Sequence, residues 1–518
     1  RVQGNLLSAP SQYTDGYLIG AETITTRTEN CTIPFGGLDM DEDMIMCDGF
    51  PFFNITSSIT IGASNINING QGSTLFGKTT LDCIESASNR VGVVFENFTI
   101  RNCKKGIDIW SDDSSIYRNL ILRDNTEFGI RVQGTENTVF DNITTNNTGT
   151  GYGMFVKTTD YINITNSYFT NARYGIYTLT TDNTWVNNSY FIDHVFNALY
   201  FNTNSNHILF ENNVVYNTSQ FMVRINFTEN SIFRFNVLNF TNDDIIFEVE
   251  NATDTVFHNN IGDQVGWNYF DIGGDNITIY DNYGRDVFHN YLDTLPVANR
   301  TVMSNSWFYN NTGYNISQNA VYMTHGISNN IENNTFTLIN NSGFAIEGDS
   351  RFLINNNFTG NIINNSRRGV FTGSTNSIFK QNTFDDVVVH GVGGWWGDCT
   401  QWDNSQFINN NYVSGEIEYY TINAALCQKN INIIIDEPSA IQHRINISGS
   451  YAIFRYNGDK NLQVEGTEIT SNGDLVVNDE FTLICDTYLK LQNNWKFNNV
   501  YLQDACSIFV ETGGTLNG

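Results

Sequence analysis

From Gly106 to about Gly391 the chain alternates apolar and polar positions in short runs that restart every 22 to 24 residues. Each restart opens on a small residue: Gly106, Gly129, Gly153 and Gly175, then Ala198, Ala320, Ala345, Gly369 and Gly391. Triplets follow, such as Ile107-Asp108-Ile109, Met154-Phe155-Val156 and Leu199-Tyr200-Phe201. Period-2 alternation predicts a strand, with the first and third residues inward and the middle one outward. A second apolar run, such as Thr138-Val139-Phe140 or Ser231-Ile232-Phe233, leads to an asparagine. These are Asn119, Asn142, Asn166, Asn188, Asn212, Asn236, Asn259, Asn282 and Asn305. A third run carries pairs such as Tyr168-Phe169 and Tyr190-Phe191. Such a period predicts a parallel β-solenoid, each coil burying its apolar face only against its neighbours. The asparagine column then reads as an internal spine, its amides bonded to one another and to turn backbone along the axis.

The ends read differently. Residues 1–57 lack the beat and are expected to cap the first coil, which would otherwise expose apolar core and unpaired edges. Between Trp267 and Ala320 the spacing stretches to 53 residues, two coils plus a loop around Leu292 to Arg300 that contains Pro296. Residues 416–518 are strand-rich without the asparagine column, and read as a C-terminal β region, a narrower solenoid or an assembly domain. The region finishes on Glu511 to Gly518 with no polar cap in the sequence.

One stretch carries a family resemblance. Asn65-Ile66-Asn67-Ile68-Asn69-Gly70-Gln71-Gly72 runs on to Gly77, and Val94 to Ile107 follows in the same style. The phrase resembles the opening coils of right-handed parallel β-helix proteins of the pectin-lyase-like class, particularly NosD-like repeat proteins, and the likeness covers about residues 55 to 415. It implies an all-β, right-handed parallel β-helix over residues 58–415. Lyases, hydrolases, binding proteins and inert surface proteins share this class, so the likeness implies a fold and no single activity.

Composition narrows the setting. Net charge is -28, with 26 Lys and Arg against 54 Asp and Glu, which disfavours nucleic acid and anionic membrane as partners. The chain opens on Arg1 with no apolar leader, so the expectation is a processed secreted protein or a piece of one. Asn-x-Ser/Thr acceptors occur at Asn30, Asn54, Asn97, Asn142, Asn146, Asn163, Asn187, Asn217, Asn226, Asn239, Asn251, Asn276, Asn299, Asn310, Asn315, Asn333, Asn340, Asn357, Asn364 and Asn446. All but the last precede residue 367, and covalent N-glycans are the expected occupants. Eight cysteines fall into local pairs, Cys31 with Cys47, Cys83 with Cys103, Cys399 with Cys427 and Cys485 with Cys506. Local disulfides at the two ends fit an oxidising, extracellular setting.

Chemistry is sparse. Asp112-Asp113, Asp243-Asp244 and Asp385-Asp386 stand coils apart, and His390 follows only the last pair, so no hydrolase constellation is expected and no catalytic residue is assigned. The seven histidines occupy different coil phases and do not stack as metal ligands. The only cofactor the sequence suggests is structural calcium at Asp39, Asp41 and Asp43; against it, Met44 and Phe50 stand where a calcium loop has Gly and Glu. The middle residues Phe155, Tyr177, Tyr200, Phe247, Tyr269, Tyr322 and Phe371 are expected to form an outward aromatic stripe, an interface to another protein or to a glycan.

The leading expectation is an extracellular structural glycoprotein, a β-helix subunit that self-assembles head-to-tail or laterally into an archaeal-type cell-surface filament, sheath or layer, without enzyme activity. The competing expectation is a polysaccharide-binding or polysaccharide-cleaving β-helix, and a third is a trimeric adhesin fibre.

Overall fold

The computed structural model describes residues 31–47, 52–146, 150–241, 245–294, 302–346, 353–371 and 376–393, together with shorter stretches of strand before and after them. The chain divides into two compact units, 1–248 and 249–518. Each is a parallel β-solenoid built from three strands per coil, here called sheets 1, 2 and 3 in the order the chain visits them.

In the first unit, sheet 1 aligns Ile107 with Ile130, Met154, Ile176, Leu199 and Val223 in successive coils. Sheet 2 aligns Phe95, Tyr117 and Phe140, and sheet 3 aligns Phe169, Phe191, Val215 and Leu238. All of these side chains are buried, so the period-2 reading of the triplets holds. In the third strands the tyrosine faces out and the phenylalanine in: Tyr168 is 40% exposed and Phe169 is 0% exposed.

Small residues open the sheet 1 strands because the next coil leaves no room. A Cβ on Gly153 would sit 2.6 Å from the Gly175 carbonyl and 3.0 Å from the Phe169 ring, and one on Gly175 would sit 2.5 Å from the Ala198 carbonyl. The corner between sheets 2 and 3 turns through left-handed backbone at Asn97, Asn119, Asn142, Asn166, Asn188 and Asn212, with φ between 50° and 62°. Asparagine tolerates this region better than other side-chain-bearing residues, which explains its return at each coil. These amides lie outside the core. Asn119 donates to Asn97 at 2.9 Å and Asn142 to Asn119 at 2.8 Å across exposed corners.

One residue after the corner lies a buried asparagine column, present at Asn213 and Asn236 in the first unit and in the coils of the second. Asn260, Asn282, Asn311, Asn334, Asn361 and Asn382 are buried, each donating Nδ2–H to the Oδ1 of the next at 2.9–3.0 Å, and Asn382 donates likewise to Asn410. The backbone N–H of each bonds the same Oδ1, as from Asn311 to Asn334 at 2.9 Å. The column expected from sequence therefore mixes three positions. Asn119 to Asn212 and Asn259 are left-handed corner residues, Asn236 and Asn282 belong to the buried column, and Asn305 sits at the corner before sheet 2. Similar coil lengths let neighbouring phases pass for one.

The solenoid starts earlier than expected. Within the stretch assigned to a cap, Asp39–Met40, Met44–Ile45 and Phe53–Asn54 already pair parallel with Thr60–Ile61, Ile68–Asn69 and Leu75–Phe76. Met40, Met44 and Met46 point inward, so the acidic stretch that carries Asp39, Asp41 and Asp43 is a short coil. Disulfides join Cys31 to Cys47 and Cys83 to Cys103; Cys399, Cys427, Cys485 and Cys506 lie outside the described residues. The inserted coil keeps Leu292–Asp293 as strand, paired with Val321–Tyr322 twenty-nine residues on. Past residue 416 parallel pairing continues with shorter spacing: Ile431 faces Ala452, Leu475 faces Trp495 and Leu489 faces Ile508.

Candidate functional site: a groove and an aromatic face on the first unit

Sheet 1 of the first unit hands over to sheet 2 through a corner that repeats a threonine-and-carboxylate pattern in three successive coils and stays polar, with asparagines, in a fourth. Gly134-Thr135-Glu136, Thr158-Thr159-Asp160, Thr180-Thr181-Asp182, Asn204 and Asn206 line an open groove of about 390 Å³ running along the axis. Gly134, Thr158, Thr180 and Asn204 hold the left-handed turn, with φ of 66°, 51°, 54° and 53°. Glycine and asparagine accept it readily. A β-branched threonine does not, so Thr158 and Thr180 store strain on the order of 1–2 kcal/mol each. Beneath them the hydroxyls of Thr135, Thr159 and Thr181 are buried and have no hydrogen-bond partner. On the rim Glu136, Asp160 and Asp182 stand in register, and Asp182 accepts from His207 Nδ1 at 2.6 Å. Parallel register spaces these carboxylates by one coil, about 4.8 Å.

The outward face of sheet 1 beside this groove is aromatic. Phe128, Tyr152, Tyr174 and Phe196 stack in one column with centroids 5.2, 5.1 and 5.8 Å apart. Phe155 and Tyr177 stack beside them at 5.6 Å, and Tyr200 meets Tyr177 edge-on at 5.1 Å. All seven rings are half-buried. Stacking along the axis turns their faces toward each other, so solvent meets ring edges and the phenol groups of the tyrosines. Arginines cover the ends: Arg131 over Trp110 at 4.5 Å, Arg224 over Tyr200 at 5.0 Å, and Arg173 over Phe196 at 4.6 Å. Arg131 pairs with Asp108 and Arg224 with Glu248. Among the described residues Arg173 has no carboxylate partner, and its Nε is unpartnered.

Of the stripe expected from sequence, Phe155, Tyr177, Tyr200 and Tyr322 face outward. Phe247 and Tyr269 do not: both are 0% exposed. At Phe247 the strand's faces are shifted by one residue, whereas Tyr269 stands just before its strand, Phe270–Asp275, at the position that glycine or alanine fills in other coils. In these coils the outward positions are Glu248 and Asp271, with Val249, Phe270 and Ile272 inward. The side chain of Phe371 lies outside the described residues.

In the second unit the outward sheet 1 positions carry acids instead. Asp271 and Asp293 are in register and buried, and Asp293 accepts from Asn268 at 3.0 Å and Asn290 at 2.8 Å. Sequence reasoning missed this pair and the groove, because it sought acids adjacent in the chain. Alignment at one-coil offsets, 136 with 160 and 182, or 271 with 293, would have found both.

The acid pairs picked out in sequence do not converge. Asp112 is fully buried in the first unit, bonded to Ser86 and to Tyr117 at 2.7 Å, while Asp243-Asp244 lies outside the described residues. Burial pushes the Asp112 carboxyl up to about 6. Asp385 and Asp386 belong to the second unit, on Thr383–Gly393. At the proposed calcium loop Asp43 accepts from the Asn67 N–H at 2.7 Å, and Asp39 lies in front of Gly62. Among the described residues no three His, Cys, Asp or Glu side chains group as metal ligands would.

The sequon asparagines sort cleanly. Apart from Asn30, Asn299 and Asn446, which lie outside the described side chains, none is buried. The asparagines of the buried column carry no sequon. The four aromatic strand segments 128–133, 152–157, 174–179 and 197–202 carry none either.

Comparison with known proteins places the fold. A family model described as right handed beta helix region matches residues 48–215 and 117–261. Similar solved structures include PfbA, a surface adhesin of Streptococcus pneumoniae, at 9% identity over 56% of this chain and 84% of that one, TM-score 0.32. A tailspike protein of E. coli bacteriophage HK620, solved with a pentasaccharide, is 12% identical over 73% and 72%, TM-score 0.38. The catalytic unit of an α-1,3-glucanase from Streptomyces thermodiastaticus is 13% identical over 74% and 60%, TM-score 0.30. Among curated protein sequences none matches.

Proposed function

We propose that this chain is an extracellular surface β-solenoid that binds a linear polysaccharide along the groove of its first unit. The observation that carries the reading is the repetition of one hydroxyl-and-carboxylate pattern in three consecutive coils, extended over a fourth by the amides of Asn204 and Asn206. A surface that repeats at a fixed step suits a ligand that also repeats, and carboxylates, amides and threonine hydroxyls are natural partners for sugar hydroxyls. Left-handed threonines at the same corner, Thr158 and Thr180, favour a binding role, since such strain persists at ligand sites and their side chains are exposed to the groove. The phenol edges beside the groove extend the polar contact. Two disulfides fit the extracellular setting. Among the described residues no helix is long and apolar enough to cross a membrane. The reading is one of binding; no catalytic step is assigned, and N-glycans at the exposed sequons are part of it.

Titration with oligosaccharides of increasing length, from neutral and acidic polysaccharides, tests the idea. Affinity should climb with each added sugar to about four units, one per coil, and then level off. Asp160→Asn and Asp182→Asn should each lower it about tenfold, the worth of one charge-assisted hydrogen bond. Affinity independent of chain length, or unchanged in both variants, would remove the groove from consideration.

A further inference from the structure

One coil before Phe128, where the sheet 1 strand begins, a lysine is held between two aspartates. Lys105 Nζ donates to Asp82 Oδ2 in the preceding coil at 2.8 Å and to Asp108 Oδ2 on its own strand at 2.6 Å. The side chains of Lys105, Asp82 and Asp108 are 9%, 19% and 6% exposed. Phe128 stands in register on the other side of Lys105. Arg131 approaches Asp108 from the next coil at 3.5 Å, Lys104 is paired with Glu127, and Glu85, in register with Asp108, accepts from Ser58 at 2.8 Å. Two features distinguish the cluster from an ordinary buried ion pair. Asp82 Oδ1 and Asp108 Oδ1 are buried with no hydrogen-bond partner, so each carboxylate carries an oxygen that the ion pairs do not use. The disulfide from Cys83 to Cys103 fastens the residue after Asp82 to the residue two before Lys105, which holds lysine and aspartate together.

We infer that Lys105 and Asp82 condense to an isopeptide bond between neighbouring coils, with Asp108 carrying the proton. Asp108 takes one proton from the ammonium along the 2.6 Å hydrogen bond. The freed amine attacks Asp82 Cγ, which lies within about 4 Å of it because a C–O bond adds only about 1.2 Å to the 2.8 Å contact. The proton held by Asp108 and a second from the nitrogen leave with one Asp82 oxygen as water. An ammonium and a carboxylate become a neutral amide, nothing is oxidised or reduced, and Asp108 ends as the carboxylate that Arg131 balances. Asp82 is the group condensed, because losing the Asp108 charge would leave Arg131 without its counter-charge.

Burial favours the product, since two charges cost far more than one amide to hold away from water. Proximity supplies the rate, as groups held in contact react as if at very high concentration. Before the bond forms, burial lowers the Lys105 pKa, but hydrogen bonds and charge from Asp108 and Asp82 outweigh it and raise the value. The proton therefore passes to Asp108 inside the cluster and not to solvent. The product staples two coils that the disulfide already joins, through a link that reductants do not open.

Mass spectrometry of the full chain after reduction and trypsin tests the bond. Segments 79–90 and 105–118 should appear as one linked species, lighter than their sum by one water, about 18 Da, with fragmentation placing the link at Asp82. Lys105→Arg and Asp82→Ala should yield unlinked segments. Asp108→Asn, with unchanged circular dichroism, should lower the linked fraction about tenfold. Unlinked segments from the wild type overturn the proposal whatever the variants do, and so does a link that fragments at Glu85. A linked fraction unchanged in Asp108→Asn overturns the part given to Asp108.

Discussion

The two units solve the same packing problem with opposite choices. In the first, glycine opens the sheet 1 strands and bulky rings fill from sheet 3: Gly153 and Gly175 make room for Phe169 and Phe191, which stack at 5.1 Å. In the second, Tyr269 and Tyr291 enter from sheet 1, while Gly262, Gly284 and Gly313 line up on sheet 3. A Cβ on Gly284 would lie 2.6 Å from the Tyr291 ring. The tyrosines then reach across to the asparagine column, Tyr269 donating to the Asn260 carbonyl and Tyr291 to the Asn282 carbonyl, both at 3.0 Å. What the coil conserves is summed cross-section, whichever sheet supplies it. The choice decides what else can be buried: rings that carry a hydroxyl need an acceptor, and the polar column provides one.

Removing a ring should separate the two solutions most sharply. Tyr291→Ala leaves a cavity and an unpaired carbonyl, and should cost on the order of 3–5 kcal/mol, read as loss of hydrogen-exchange protection in the second unit. Protection in the first unit should stay as it was. Equal loss in both would mean that the units do not differ in how they hold their cores.

The next largest difference is in pH response. Asp112 is raised from 3.8 to about 6, so between these values the folded chain holds a proton that the unfolded chain has lost. Its contribution to stability is therefore lost as pH rises through that window. His194 is lowered from 6.5 to about 4 by burial, so the unfolded chain binds the proton and stability is lost as pH falls. Both lie in the first unit, and from about pH 4 to 6 their slopes oppose. Stability there should be nearly flat in the wild type and should rise with pH in Asp112→Asn, by up to about 3 kcal/mol. Thermal melts across that range check it, and a flat profile in the variant would refute the cancellation. Tyr269 and Tyr291, held well above 10 by burial, add nothing at these pH values.

Smaller still is the contrast between inner and outer asparagines. Asn311→Ala strips an acceptor from the Asn282 N–H and should cost about 2 kcal/mol. Asn119→Gly, at an exposed corner with φ of 54°, should change stability by a few tenths of a kcal/mol. Chemical denaturation of the two variants separates the columns; equal costs would merge them again.

The solenoid was legible because its driving pattern is local: a period of 22 to 24 residues and inward pairs such as Ile107 and Ile109 need no tertiary information. Left-handed corners were half-legible, since asparagine marks them but also fills the buried column one residue later. Faces became illegible where coil length varies between 22 and 24 residues, as at Phe247, because parity carries no memory across such a step, and Tyr269 was misplaced because it precedes its strand, Phe270–Asp275. The groove was hidden for another reason. Its members are 22 and 24 residues apart, ordinary threonines and acids that acquire meaning only when coils are stacked in register.

The inner asparagine column gives the second unit an electrical direction. From Asn260 to Asn382 each amide sends its N–H toward the following coil and turns its oxygen toward the preceding one. Hydrogen-bonded amides aligned this way polarise one another, and their dipoles sum as they do along a helix. A column of neutral side chains thus leaves the early coils leaning negative and the late coils leaning positive.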